Sequence, residues 1–99
     1  MEYVILFTSF AENEYISAFQ FYEDKQNGLG LKFETETSIL IEHLKQNPHL
    51  FQRKYKHYRE AVYKKFPYFL IYEILDKKVI IHSVFNAKQN PKRKLNNKK

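Results

Sequence analysis

Apolar positions change their spacing along this chain, and each change marks a new element. Residues 2–10, EYVILFTSF, are mostly apolar and β-prone, which reads as one short strand. The run breaks at Ser9. Ser9 stands three residues before Glu12, the spacing of a capping box, so a helix is expected to begin near Ala11. Tyr15, Ala18, Phe19 and Tyr22 then recur at helical spacing and stop before NGLG. Gly28 and Gly30 are the only glycines and suit a C-cap and a tight link between helices. In a second helix Phe33, Thr37, Leu40, Ile41 and Leu44 share one stripe, with Glu34, Glu36, Glu42 and Lys45 mostly off it, and Pro48 closes it. The pair is an antiparallel hairpin with an acidic outer face.

From Phe51 onward the period is two. HYREAVYKK alternates loosely, placing Tyr58, Glu60, Val62 and Lys64 on one side. Pro67 donates no ladder hydrogen bond, so it belongs in a turn or at the start of a strand. YFLIYEIL is apolar on both faces except at Glu73, as a central strand should be, and VIIHSVF returns after the glycine-free connection Asp76-Lys77-Lys78. The expected class is α+β, in the order β-α-α-β-β-β. Residues 1–86 form a single domain, and residues 87–99 are a basic tail with too little apolar content to pack.

Composition narrows the class further. A chain of 99 residues buries only about 60–65% of its unfolded surface. Its core must therefore be dense, and nine Phe and eight Tyr supply that density. Cysteine is absent, which excludes a disulfide framework and a thiolate metal site and fits a cytoplasmic location. The start has no basic n-region, and no apolar run approaches a membrane span. The four histidines (His43, His49, His57, His82) show no ligand spacing, so neither a metal nor another cofactor is expected, and His82 reads as a half-buried strand residue. The net charge of +6 hides a gradient: residues 1–42 carry −6, residues 43–86 carry +6, and the tail carries another +6 without an acid. The basic part looks for an anionic partner.

Several pieces in this order resemble the RelE/ParE superfamily, the toxin half of plasmid-stabilisation and toxin–antitoxin pairs. They are the helix hairpin around GLG…F, LKQNP at the end of the second helix, YREAVYKKFPY with Leu70, Tyr72 and Ile74 after it, and SVFNAKQNP, together covering roughly residues 3–91. The resemblance implies an antiparallel sheet with both helices on one face, the other face being a shallow basic concavity. It also implies a small cognate antitoxin whose C-terminal segment folds on binding, over that concavity and the apolar rim of the hairpin. Many members end the last strand with His, followed by Arg-rich residues, Asp-Pro and an aromatic. Here the run is Asn86, Ala87-Lys88-Gln89, Asn90-Pro91 and Lys92-Arg93-Lys94, with no aromatic.

Three functions stay open on this reading. RelE-like members cut ribosome-bound messenger RNA, a reaction that needs a proton acceptor, cations over the phosphate and a donor to the leaving oxygen. The residues placed for it here are Arg59, Lys64 and Lys88, with Tyr63 or Tyr68 as proton carrier. Lys64 and Lys65 read equally as edge charges that discourage sheet-to-sheet pairing. ParE-like members bind DNA gyrase and need no nuclease constellation, which the missing His and Arg favour. The third function is a degenerate toxin retained as an antitoxin-binding regulatory module. Target contacts are expected from Arg53, Lys54, Lys56, Tyr63, Lys65, Asn86, Lys92, Arg93 and Lys94, because tyrosines interleaved with cations suit single-stranded nucleic acid.

Overall fold

The computed structural model describes residues 2–88. Helix α1 spans Ser9–Lys25 and α2 spans Leu29–Gln46. The cap of α1 is Thr8, not Ser9: Thr8 is extended (φ −69°, ψ 161°), and its hydroxyl accepts the Ala11 N–H at 3.1 Å, while Ser9 is already helical. The glycines also serve differently from a C-cap. Gly28 precedes α2 at φ 88°, a left-handed conformation that glycine adopts without strain. Gly30 lies inside α2, where a Cβ would come within 2.9 Å of the Phe19 carbonyl oxygen. The first turn of α2 is capped from across the hairpin, because the Glu23 carboxylate of α1 accepts the N–H groups of Gly28 and Gly30 at 2.9 and 3.0 Å.

The buried stripe of α2 is Gly30, Phe33, Thr37, Leu40 and Leu44, with Ile41 half-buried. Phe33 is its hub: its ring stacks on Tyr63 at 5.1 Å and on Tyr15 at 5.7 Å, and meets Phe66 and Tyr68 edge-on. After Asn47 the chain makes a 3-10 turn, Pro48–Leu50.

The five strands are β1 (Val4–Phe7), β2 (Arg53–Tyr55), β3 (Tyr58–Val62), β4 (Tyr68–Leu75) and β5 (Lys78–Asn86), arranged in the order β1-β5-β4-β3-β2. Strand β2 is one more than the sequence pattern separates, since Lys56 takes a positive φ of 53° and reverses RKYKHYRE into a hairpin. The sheet is mixed rather than wholly antiparallel: β1 runs parallel to β5, from Val4 opposite Lys78 to Phe7 opposite Ile81. No hairpin joins these two strands. The helices and the meander between them form the long crossover that parallel pairing requires.

Alternation divides the sheet into two faces. Ala61, Leu70, Tyr72, Val79, Ile81 and Val84 join the helices in the main core, and Phe69, Ile71 and Phe85 form a separate cluster on the other side with Tyr58 packed against it. The pairing of β4 with β5 slips between Ile71 and Tyr72, which leaves His82 as the extra residue of a bulge.

Candidate functional site: an apolar groove, a basic hairpin and the open sheet face

The structure does not bring Arg59, Lys64 and Lys88 together. Arg59 lies opposite Tyr72, a core residue on the helix side, and its guanidinium donates to the Phe51 carbonyl at 2.6 Å with His49 Nδ1 at 3.5 Å. Tyr72 donates to the Pro48 carbonyl at 2.6 Å, so the two side chains jointly hold the 3-10 segment on the sheet. Lys64 lies five residues along the chain, roughly 16 Å at strand rise, and its backbone N–H and that of Lys65 donate to the Glu36 carboxylate of α2. Lys88 follows the end of β5, with its backbone N–H donating to Asn86 Oδ1 at 2.9 Å. The proton carriers fare no better. Tyr63, expected at the surface, is 3% exposed, and its hydroxyl pairs with Thr37 at 2.5 Å. Burial pushes the Tyr63 hydroxyl well above its ordinary value, raises Tyr68, whose hydroxyl bonds Asn86, and takes Tyr72 up to about 12. Lys92, Arg93 and Lys94 lie outside the described residues.

The remaining expected contacts fall into two places. Arg53, Lys54 and Lys56 are exposed on the β2–β3 hairpin beside Tyr55, with the Lys56 ammonium 5.4 Å from the Tyr55 ring. Among the described residues the salt bridges are Lys45–Glu42 and the pairs of Glu73 with His57 and His82, so the three hairpin cations are free of acids. Lys64 and Lys65 instead border a groove of about 690 Å³ along α2. Its apolar walls are Leu29, Leu31, Ile39 and Leu40 from α2, faced by Phe51, Val62 and Phe66. Lys32, Lys64 and Lys65 rim it, and its one rim carboxylate, Glu36, is engaged by backbone N–H groups. Leu31 and Ile39 are 56% and 51% exposed, which makes this an apolar surface open to a partner.

The open sheet face is not a basic concavity. Alternation turns Arg59 to the helix side and leaves Lys64 and Lys65 in the loop after β3, so the face carries Phe69, Ile71, Phe85, Tyr58, Glu60 and Glu73. Glu73 is gripped by two imidazoles, His82 Nε2 at 2.6 Å and His57 Nε2 at 3.1 Å, with the Tyr58 ring against both histidines. His82 is thus a half-buried, partnered strand residue, as its apolar setting implies. The role of His57 was not legible, since it depends on the turn at Lys56 and the bulge at His82. Among the described residues no group of three His, Cys, Asp or Glu side chains could hold a metal ion, and no helix is long and apolar enough to cross a membrane.

Comparison with known proteins follows the same outline. A family model described as the ParE toxin of the type II toxin–antitoxin system, parDE, matches residues 5–91. Among solved structures, a chain of the chromosomal ParDE toxin–antitoxin system from P. aeruginosa superposes with a TM-score of 0.72 at 13% identity, covering 87% of this chain and 97% of that one. No curated protein matches the sequence.

Proposed function

This chain belongs to the ParE toxin family of type II toxin–antitoxin systems, and from that premise we propose that it acts by binding its target and is silenced by an antitoxin segment seated in the α2 groove. The groove carries this reading. Leu31, Thr35 and Ile39 are spaced one helical turn apart along its length, a geometry that accepts the i, i+4 side chains of an amphipathic helix. The lysines on its rim favour acidic flanks on that helix. Ile39→Asp should weaken a coexpressed toxin–antitoxin complex by about 100-fold while leaving the circular dichroism of the free toxin unchanged. A complex of undiminished affinity would place the antitoxin elsewhere.

Binding rather than cleavage is supported by the engagement of Arg59 with the Phe51 carbonyl, away from Lys64, and by the burial of Tyr63. Of the two targets expected, DNA gyrase therefore ranks above ribosome-bound messenger RNA, and both lie in the cytoplasm. The hairpin cations Arg53, Lys54 and Lys56 are the contacts proposed for it, since they face solvent as a group. Induction should produce filamentation and a DNA damage response with messenger RNA intact. Ribosome-dependent cleavage in extracts would restore the nuclease reading, and normal growth on induction would leave only the antitoxin-binding role.

A further inference from the structure

We propose that the β2–β3 hairpin is a DNA-docking ribbon, in which Arg53, Lys54 and Lys56 grip the phosphates of duplex DNA and Glu73 braces the hairpin through His57. The inference rests on the gyrase reading and deepens it, naming the DNA rather than the enzyme as what this hairpin touches. Residues 52–57 are all exposed, so both faces of β2 stand in water at the edge of the sheet. A strand that served only the fold would bury one of them. The cations are also gathered against local stability. Arg53 lies directly opposite Arg59 across the ladder, a like-charge pair that weakens a hairpin. Lys56 holds the turn at φ 53°, a conformation that suits glycine, Asn or Asp. Among the described residues no carboxylate lies within salt-bridge distance of Arg53, Lys54 or Lys56, so no acid there offsets these costs. Cations kept at positions that disfavour them point to an anionic ligand.

Shape selects the form of that ligand. Two strands about 4.8 Å apart make a ribbon that a DNA major groove about 12 Å wide admits. A single strand is held instead by bases stacked on successive exposed rings. The ribbon offers one such ring, Tyr55, because Tyr58 is packed against His57 and His82. The hairpin is held ready for its ligand. His57, next to Lys56 in the turn, bonds Glu73 Oε2 at 3.1 Å, while His82 bonds Glu73 Oε1 at 2.6 Å. One carboxylate on β4 thus fastens the tip of the ribbon to the middle of the sheet, which lowers the ordering cost of binding.

Fluorescence anisotropy of a short labelled duplex of arbitrary sequence, titrated with the full-length chain at several salt concentrations, tests the proposal. Replacing Arg53, Lys54 and Lys56 together by Ala should lower the log–log salt slope by about 2.7, three phosphates at about 0.9 each, without lowering Tm. Removing the same charge from the tail (Lys92→Ala, Arg93→Ala, Lys94→Ala) should change the slope by less than half as much. An unchanged slope in the hairpin variant, or an equal fall in both, overturns the proposal, as does tighter binding to the single-stranded oligonucleotide. Glu73→Gln separates bracing from net charge. It makes the chain more positive, yet it should weaken duplex binding because the tip is released, and a gain in affinity would overturn the role of Glu73. No gyrase is present in this assay, so its failure is distinct from a failure of the gyrase reading, which filamentation on induction decides.

Discussion

Two apolar surfaces of similar chemistry have opposite fates in this molecule. The α2 groove leaves Leu31 and Ile39 more than half exposed, whereas the cluster on the far side of the sheet is almost wholly withdrawn from water. The difference follows from the elements that carry them. A helix needs only one stripe for its own core, and α2 spends Phe33, Thr37, Leu40 and Leu44 on it, so apolar residues off that stripe are free for a partner. A central strand presents two faces, and YFLIYEIL is apolar on both, so the second face must be covered if the sheet is to stand alone. An apolar run is therefore left exposed to solvent on α2 and withdrawn from it on β4.

Truncation sets the two surfaces furthest apart. Phe85→Ala should destabilise the full-length protein by about 3–5 kcal/mol, the range for a buried aromatic, whereas Leu31→Ala should stay within about 0.5 kcal/mol. Urea denaturation of both variants measures the contrast. Equal losses would mean that the groove is already filled within the monomer, and a small loss at Phe85 would mean that the sheet face is open.

Arg59 tests whether a cation chosen for chemistry instead supports structure. Its guanidinium holds the Phe51 carbonyl beside the groove wall, and a hydrogen bond from a charged donor contributes about 1.5–3 kcal/mol. Arg59→Ala should lose that much stability and with it some affinity for the antitoxin. Lys64→Ala, exposed on the rim, should leave the midpoint unchanged and alter only the salt dependence of association. Loss of toxicity in Arg59→Ala is thus no sign of catalysis unless Tm is preserved.

Gly30 probes the groove from beneath. A methyl group there meets the Phe19 carbonyl and the Glu23 carboxylate, the group that caps α2. Gly30→Ala should cost about 1–3 kcal/mol through this overpacking and prise α2 from α1. Amide exchange should quicken in the first turn of α2 and remain unchanged in β4 and β5. Uniform quickening would show that hairpin and sheet open as one unit.

The order of elements was legible because its signals are local. Helical spacing from Tyr15 to Tyr22, the stripe from Phe33 to Leu44 and the apolar YFLIYEIL all survive as elements. The direction of β1, the faces of Arg59 and Tyr63 and the grip of two histidines on Glu73 were not legible. The direction of β1 depends on its long-range pairing with β5, and the others depend on one-residue events such as the turn at Lys56 or the bulge at His82, where a slip of one residue sends a strand side chain to the opposite face. The site suffered more than the fold for that reason, because three cations assigned to one face needed three registers to be right.

The smallest effect distinguishes how the two sides turn their chain. Beside the groove the left-handed position is filled by Gly28, whereas the hairpins bordering the open face place Lys56 at φ 53° and Asp76 at φ 55°. A side chain other than glycine, Asn or Asp costs roughly 1–2 kcal/mol in this region, and glycine returns about half of that through its greater freedom when unfolded. Lys56→Gly should therefore stabilise the protein by about 0.5–1 kcal/mol, seen as a higher urea midpoint with an unchanged slope. Lys56→Ala removes the same charge but keeps the strained backbone, so it should not stabilise. If both variants gain equally, the cause is repulsion among Arg53, Lys54 and Lys56 rather than the backbone at Lys56.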